Sequence, residues 1–222
     1  MLAIVAWAAG SCLVAELLGY LLHRLLHSDR VRFLSRSHMM HHLVLYGPLQ
    51  PQRPEGRYKD ATTGKVALGN IGLEWLIPSA LILGCALAVF SLFAVALRYR
   101  VVFITGALTW GFLMFSYLHD RMHERGFWLE RTIIRRWFVK ARHLHDIHHC
   151  TLDDDGFMPT NFGIGLFLFD RIFGTLQKQG KSFNRPGYAA ALRRYSFVMP
   201  PSQYHRKQIE PETVRQESAP SE

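Results

Sequence analysis

Histidine is the residue type with the clearest chemical pattern in this sequence. The chain holds 12 histidines, and all but His205 fall in four short clusters. The clusters are His23 with His27; His38 with His41 and His42; His119 with His123; and His143 and His145 with His148 and His149. On a helix of about 3.6 residues per turn, HxxxH places two imidazoles on one face and HxxHH places three. Each cluster can therefore present several ligands to a metal ion.

The number of clustered histidines indicates more than one metal ion. Without His143, which lies outside the HxxHH spacing, ten imidazoles remain, and they suit two ions with about five ligands each. Imidazole binds iron, zinc, copper and nickel, so the ligand type does not name the metal. His123-Glu124 lacks a histidine at position 127, which disfavours zinc-protease chemistry, and the three cysteines form no C-x-x-C pair. We therefore predict a dinuclear histidine centre.

Three apolar runs are expected to position these clusters. Residues 1–22, 76–97 and 101–118 are each close to the roughly 20 helical residues that cross a hydrocarbon core, and we predict three transmembrane helices. Residues 98–100 separate the last two runs and are the predicted turn of a tight hairpin. A cleaved signal peptide is the alternative for the first run, but no Lys or Arg begins it and no small-residue cleavage site follows it.

The distribution of basic residues predicts the orientation in the membrane. Lys and Arg total 26 against 17 Asp and Glu. Residues 24–75 hold 8 of the basic residues and residues from 119 onward hold 16, whereas the predicted turn at 98–100 holds 2. Basic segments favour the cytoplasmic side, so all four clusters are expected there. Topology and anionic lipid thus explain the positive charge, and no nucleic-acid partner is predicted.

The remaining segments complete an all-α integral membrane protein with a cytoplasmic helical cap. Residues 1–204 are predicted to form one membrane-embedded domain, and the polar residues 205–222 a disordered tail. Residues 47–70 are rich in Pro, Gly and polar types and are predicted to form a loop. Residues 127–150 predict an amphipathic helix, either lying at the membrane interface or packed against the rest of the cap.

Four polar residues near the clusters are candidates for contacts with metal ligands or substrate. Glu16 lies on the helix face of His23, so it either serves the centre or pairs with an inward-facing Arg or Tyr. Asp120 and Asp146 either accept the free N–H of a ligating imidazole from another cluster or pair with arginines. Asn161 either orients a ligand or caps a helix.

The order HxxxH, HxxHH, HxxxH, HxxHH around an apolar hairpin resembles the fatty acid hydroxylase/sterol desaturase superfamily of membrane di-iron enzymes. The resemblance runs from about Glu16 to Leu176 and includes Asn161-Phe162-Gly163 and a segment, 169–176, similar to W-D-R-x-F-G-T-L with Phe169 in place of Trp. Transferred to this chain, the family's metal ligands are His23, His27, His38, His41, His42, His119, His123, His145, His148 and His149.

The resemblance implies an O2-dependent oxidoreductase that hydroxylates a C–H bond of a membrane lipid, such as a fatty acyl chain or a sterol. The implied cofactor is two irons, which zinc can replace in purified protein. Electrons would come from an external donor, either a cytochrome b5-like protein or a ferredoxin with its reductase. The implied location is a bacterial inner membrane, or the endoplasmic reticulum of a eukaryote, with the metal on the cytoplasmic side.

Three other functions fit parts of the pattern. A desaturase of the same superfamily would use the same metal centre. A membrane metal transporter or metal-binding protein would bind ions through the same side chains, but its ligands are expected at the bilayer midplane rather than at helix ends. A bis-histidine haem protein would use two to four histidines and leave the other clusters unexplained.

Overall fold

The computed structural model describes residues 1–49, 51 and 73–198, and at 73–78 it describes the backbone alone. Every element in this part of the chain is helical. The helices are α1 (Leu2–Leu26), α2 (Arg32–Met40) with a π-helical extension His41–Leu45, α3 (Leu73–Leu92), α4 (Leu97–Gly111) with a π-helical extension Phe112–Leu118, α5 (His119–Met122), a 3₁₀ turn Trp128–Arg131, α6 (Arg135–Cys150), α7 (Leu168–Ile172) and α8 (Arg185–Arg194). The predicted tail 205–222 and most of the predicted loop 47–70 lie outside the described residues.

Two helices are long and apolar enough to cross a membrane. They are α1 and the continuous rod Leu97–Met122, which joins α4, its π-helical extension and α5. We call this rod the α4–α5 rod. A shorter apolar helical stretch covers Ser79–Leu92 within α3. The structure thus supports two of the three predicted spans by length and composition, and it extends both of them far enough to include His23 and His119.

Helix α1 and the α4–α5 rod run side by side in the same direction. Successive contacts pair Trp7 with Phe103, Gly106 with Ser11, Glu16 with Trp110, Gly19 with Phe115, and His23 with His119. A Cβ atom at Gly106 would collide with the Ser11 hydroxyl, and one at Gly19 would collide with the Phe115 ring. Small residues permit this close helix approach, which brings two histidine clusters to the same end.

The predicted hairpin turn is displaced along the chain. Helix α3 ends at Leu92 and α4 begins at Leu97, so the turn is 93–96 rather than 98–100. Ala94 takes a left-handed conformation there, with φ 47°. Arg100, in the first turn of α4, donates from Nε to the Val95 carbonyl at 2.6 Å and from Nη1 to Ser91 Oγ at 3.1 Å. Because the turn is itself apolar, hydropathy placed it wrongly at the neighbouring arginines.

Helices α2, α6, α7 and α8 form a cap over the histidine-bearing ends of α1 and the rod. One buried apolar cluster joins α2 to α8 through Met39, Leu43, Leu192 and Tyr195. A second cluster joins the end of the rod to α6, through residues that include Leu118, Phe138, Leu144 and Ile164. The predicted helix 127–150 divides into the 3₁₀ turn and α6, whose inner face is packed and whose outer face is exposed.

Candidate metal centre

The structure brings all ten predicted histidines together in two groups of five. The first group consists of His23, His27, His38, His42 and His148, and the second group consists of His41, His119, His123, His145 and His149. In each group the five ligand nitrogens lie within 4.8 Å of one another, and no member is more than 9% exposed. The groups adjoin, since the rings of His42 and His149 stack at 4.0 Å. Each group could hold a metal ion, whereas His143 is exposed on the outer face of α6.

Each HxxHH motif supplies ligands to both groups. His38 and His42 belong to the first group and His41 to the second, while His145 and His149 belong to the second group and His148 to the first. Residues i and i+4 lie on nearly the same side of a helix, but residue i+3 is rotated away by about 100° from i+4. Each half of the chain therefore provides four ligands to one group and one ligand to the other, in an approximate two-fold arrangement.

Two of the four clusters lie in, or directly after, a departure from α-helical geometry. The π-helical extension of α2 begins at His41, and that of the rod ends at Leu118, directly before His119. A π-helical turn widens the helix and rotates the side chains that follow it, and such turns occur often at functional sites. These segments thus alter the angles at which His41, His42 and His119 project.

Main-chain carbonyls determine which ring nitrogen of several histidines carries the proton. The Nδ1 atoms of His23 and His148 donate to the carbonyls of Phe162 and Thr160, both at 2.6 Å. The Nδ1 atoms of His123 and His149 donate to the carbonyls of Pro51 at 2.6 Å and Tyr46 at 2.8 Å. Since a carbonyl only accepts, these neutral rings carry a lone pair on Nε2. This pattern is typical of metal-binding imidazoles.

The Nε2 atoms converge at distances that suit ligands around an ion. In the first group, consecutive Nε2 atoms of His148, His27, His38 and His42 are each 3.1 Å apart. In the second, His145 Nε2 lies 3.1 Å from His123 Nε2 and 3.2 Å from His149 Nε2, both of which present lone pairs. Nitrogens about 2.1 Å from one ion and at right angles to each other are about 3.0 Å apart. A cation in each group could therefore be bound by these nitrogens at their present spacing.

The cap histidines are held in the form that binds metal. Burial, together with the charge of neighbouring imidazoles, lowers the pKa of His38, His42, His145 and His149 well below the usual value. These rings are therefore neutral at neutral pH, as metal binding requires. The ring of Phe162 lies 5.4 Å from His148 and 5.6 Å from His27 and covers the first group with an apolar surface.

Asn161 fastens the loop that supplies two of the carbonyls. Its Nδ2 donates to the carbonyls of Leu144 at 3.0 Å and Gln177 at 2.8 Å, and its Oδ1 accepts from the Gln177 amide at 2.8 Å. Its φ of 56° is left-handed, a conformation that Asn tolerates better than most residues. The hydrogen bonds of its side chain thus go to the main chain of Leu144 and Gln177. Asn161 holds Thr160 and Phe162, on either side of it, against His148 and His23.

Asp170 is a structural residue of the site that sequence reasoning did not single out. It is fully buried, and its carboxylate accepts from the amides of Phe162 and Gly163, both at 2.7 Å, and from the Thr175 hydroxyl at 2.8 Å. An acidic residue within the largely apolar stretch 166–173 was the available signal. Asp170 thus joins the 161–163 segment to the 169–176 segment.

The other acidic candidates lie in three different environments. Glu16 is 1% exposed and accepts from Trp110 Nε1 at 2.9 Å, so it pairs with a tryptophan rather than with Arg or Tyr. Asp120 Oδ1 is 3.4 Å from Nδ1 of His119, its own neighbour in the chain. Asp146 is half-buried, and its charge acts on Cys150. Burial and that charge raise the pKa of Cys150 to about 11, which disfavours a thiolate ligand.

Comparisons with family models, with curated proteins and with solved structures find no match for this chain. The resemblance to the di-iron superfamily rests on the spacing of the histidines and on segments 161–163 and 169–176. In the structure these two segments are bonded to each other and provide a carbonyl for His23. The described residues establish two adjoining, buried histidine groups at the ends of two apolar helices.

Proposed function

We propose that this protein is a membrane-bound di-iron oxygenase that hydroxylates a C–H bond of a lipid. The observation that carries the proposal is the convergence of ten buried histidines into two adjoining groups of five. Haem binding would leave most of these ligands unexplained. Two irons held by the groups would supply O2 activation, with electrons from an external donor.

The position of the histidines favours a substrate drawn from the membrane. His23 lies in the last turn of α1, and His119 and His123 lie at the end of the α4–α5 rod, where two apolar candidate spans meet the cap. A transported ion would instead need ligands near the middle of the spans. A lipid between the helices and a donor at the cap could both reach a centre placed at this boundary.

The chain's own residues would orient the ligands and limit the access of water. Carbonyls of Phe162, Thr160, Tyr46 and Pro51 hold Nδ1 protons and so direct four Nε2 lone pairs inward. The Phe162 ring covers one side of the first group. Metal ligands fixed by such outer contacts are more basic and better oriented than free imidazoles.

Metal content per chain tests the centre directly. Protein expressed with added iron and purified in detergent is expected to contain about two metal ions per chain, as iron or as zinc that has replaced it. His42→Ala should weaken the first group and His145→Ala the second, so each variant is expected to lose about one ion or more. His143→Ala is the matched control, because it removes an exposed histidine of α6 and should leave the metal content unchanged. Equal metal in all four proteins would contradict the proposed centre.

Analysis of membrane lipids tests the reaction. Cells expressing the wild-type chain with added iron are expected to accumulate a lipid that has gained one oxygen atom, and cells expressing the His145→Ala variant should not. We favour hydroxylation over desaturation on the family resemblance, and a product that has lost two hydrogens would instead identify a desaturase. An unchanged lipid profile with a metal-loaded protein and a competent donor would contradict the oxygenase proposal.

A further inference from the structure

An elongated apolar cavity lies between α1, α3 and α4, directly beside the histidine groups. Its volume is about 260 Å³. Its walls include Leu18 and Leu22 of α1, Leu83 of α3, and Gly111 and Ser116 of the rod. Leu22 directly precedes His23, and Ser116 lies three residues before His119. The cavity therefore ends where the candidate metal centre begins.

The dimensions of the cavity favour a slender occupant. Its lining on the rod runs from Phe103 to Ser116, which corresponds to about 20 Å at the rise of a helix. A volume of about 260 Å³ is smaller than that of most pockets for compact drug-sized ligands, which hold about 300 to 1,000 Å³. Spread over such a length, it fits one hydrocarbon chain better than a fused ring system.

Ser116 provides a polar contact at the metal end of this apolar space. Ser116 is 9% exposed and lines the cavity, and its Oγ has no hydrogen-bond partner among the described residues. A serine within a helix commonly returns its hydroxyl to the carbonyl four residues earlier. Here the residue lies in the π-helical extension and that bond is not formed. A buried hydroxyl without a partner is unfavourable, so a ligand oxygen at this point would be stabilised.

We propose that the cavity binds the hydrocarbon chain of a single-chain lipid, whose oxygen-bearing end accepts or donates a hydrogen bond at Ser116 Oγ. The chain extends away from the cap between α1, α3 and α4, and its first carbons lie next to the histidine groups. This inference deepens the proposed function: where that function holds, oxidation falls near the polar end of the lipid rather than near its methyl end.

A pair of glycines allows the cavity to be blocked without disturbing the helices. An added Cβ has open space at both Gly111 and Gly84, but only Gly111 lines the cavity. Gly111→Phe is expected to lower the affinity for a radiolabelled straight-chain alcohol at least tenfold, and Gly84→Phe to leave it unchanged. Unlabelled cholesterol should compete poorly with that probe. Full binding by Gly111→Phe, or equal competition by cholesterol, would overturn the proposal.

The role of Ser116 is tested by comparing the binding of two ligands that differ only in having or lacking a terminal hydroxyl. Ser116→Ala removes one hydrogen bond, so the affinity for the alcohol is expected to fall about fivefold while that for an alkane of the same length stays the same. A similar loss for both ligands, or no loss for the alcohol, would contradict the orientation proposed. Binding needs neither O2 nor electrons, so failure of this binding proposal can be distinguished from failure of the proposed reaction. The metal content of each variant shows whether its histidine groups are intact.

Discussion

At the scale of single residues, the candidate centre depends on hydrogen bonds one step away from the histidines. Thr160 and Phe162 provide carbonyls to His148 and His23, and Asn161 between them is bonded to α6 and to Gln177. The three hydrogen bonds of Asn161 are worth about 1 kcal/mol each. Asn161 is therefore a positioning residue for ligands of the first group.

Two replacements of Asn161 should distinguish the contribution of its hydrogen bonds to stability from that of its backbone conformation. Asn161→Ala loses the bonds and must keep a left-handed φ, so the free energy of unfolding is expected to fall by about 4 kcal/mol. Asn161→Gly loses the same bonds without the conformational strain, and its loss should be about 1 kcal/mol smaller. Denaturation of the detergent-purified variants measures both values. Equal stability of the two variants would show that the left-handed backbone carries no cost.

At the scale of helices, the site depends on the register between α1 and the α4–α5 rod. Ser11 packs on Gly106, Phe115 packs on Gly19, and the next turn of each helix brings a histidine to the cap. Because the helices run parallel, small residues at the crossing determine how closely the HxxxH motifs of the two halves approach. The contact at Gly19 lies nearest to the histidines.

Filling the helix contact at Gly19 is expected to disturb the centre from a distance. Gly19→Leu forces its side chain into the Phe115 ring and should lower the free energy of unfolding by about 1 to 3 kcal/mol, with less metal retained per chain. Gly10→Leu is the matched control in the same helix, since its added Cβ meets nothing within 4 Å. Thermal unfolding and metal analysis of both variants make the comparison. Identical behaviour would contradict a tight crossing at Gly19.

At the scale of the whole molecule, the cap and the turn 93–96 lie at opposite ends of the apolar helices. The cap carries most of the basic residues, and the predicted cytoplasmic location of the metal centre follows from that bias. Phe93 at the turn is 72% exposed, and Ser182 lies on an exposed part of the cap. These two positions can report the orientation of the chain.

Cysteine labelling of intact cells tests the orientation. For a chain in a bacterial inner membrane, the turn is expected on the periplasmic side. Phe93→Cys should therefore react with a membrane-impermeant maleimide above the wild-type level once the outer membrane is permeabilised. Ser182→Cys should react only after the inner membrane is broken. The opposite pattern would place the histidine groups outside the cytoplasm. Labelling of both positions in intact cells would contradict membrane insertion of this helical arrangement.

Local patterns in the sequence determined much of this protein. Helical periodicity alone identified ten histidines that the fold brings together, because spacings of three and four residues place imidazoles on one face wherever the helix lies. Continuous apolar runs likewise predicted three spans, and the described residues support two of them by length and composition. The exposed His143 was separated from the ligands by the same spacing argument.

Other features were decided only by the tertiary structure, because they join residues far apart in the chain. The division of each HxxHH motif between the two groups depends on the positions of the helices that carry the other histidines. The turn at 93–96 has no polar residue to mark it, and the partners of Glu16, Asn161 and Asp170 lie on other elements. Spacing specifies the direction of a side chain from its own helix. What that side chain meets is determined by the packing of the whole molecule.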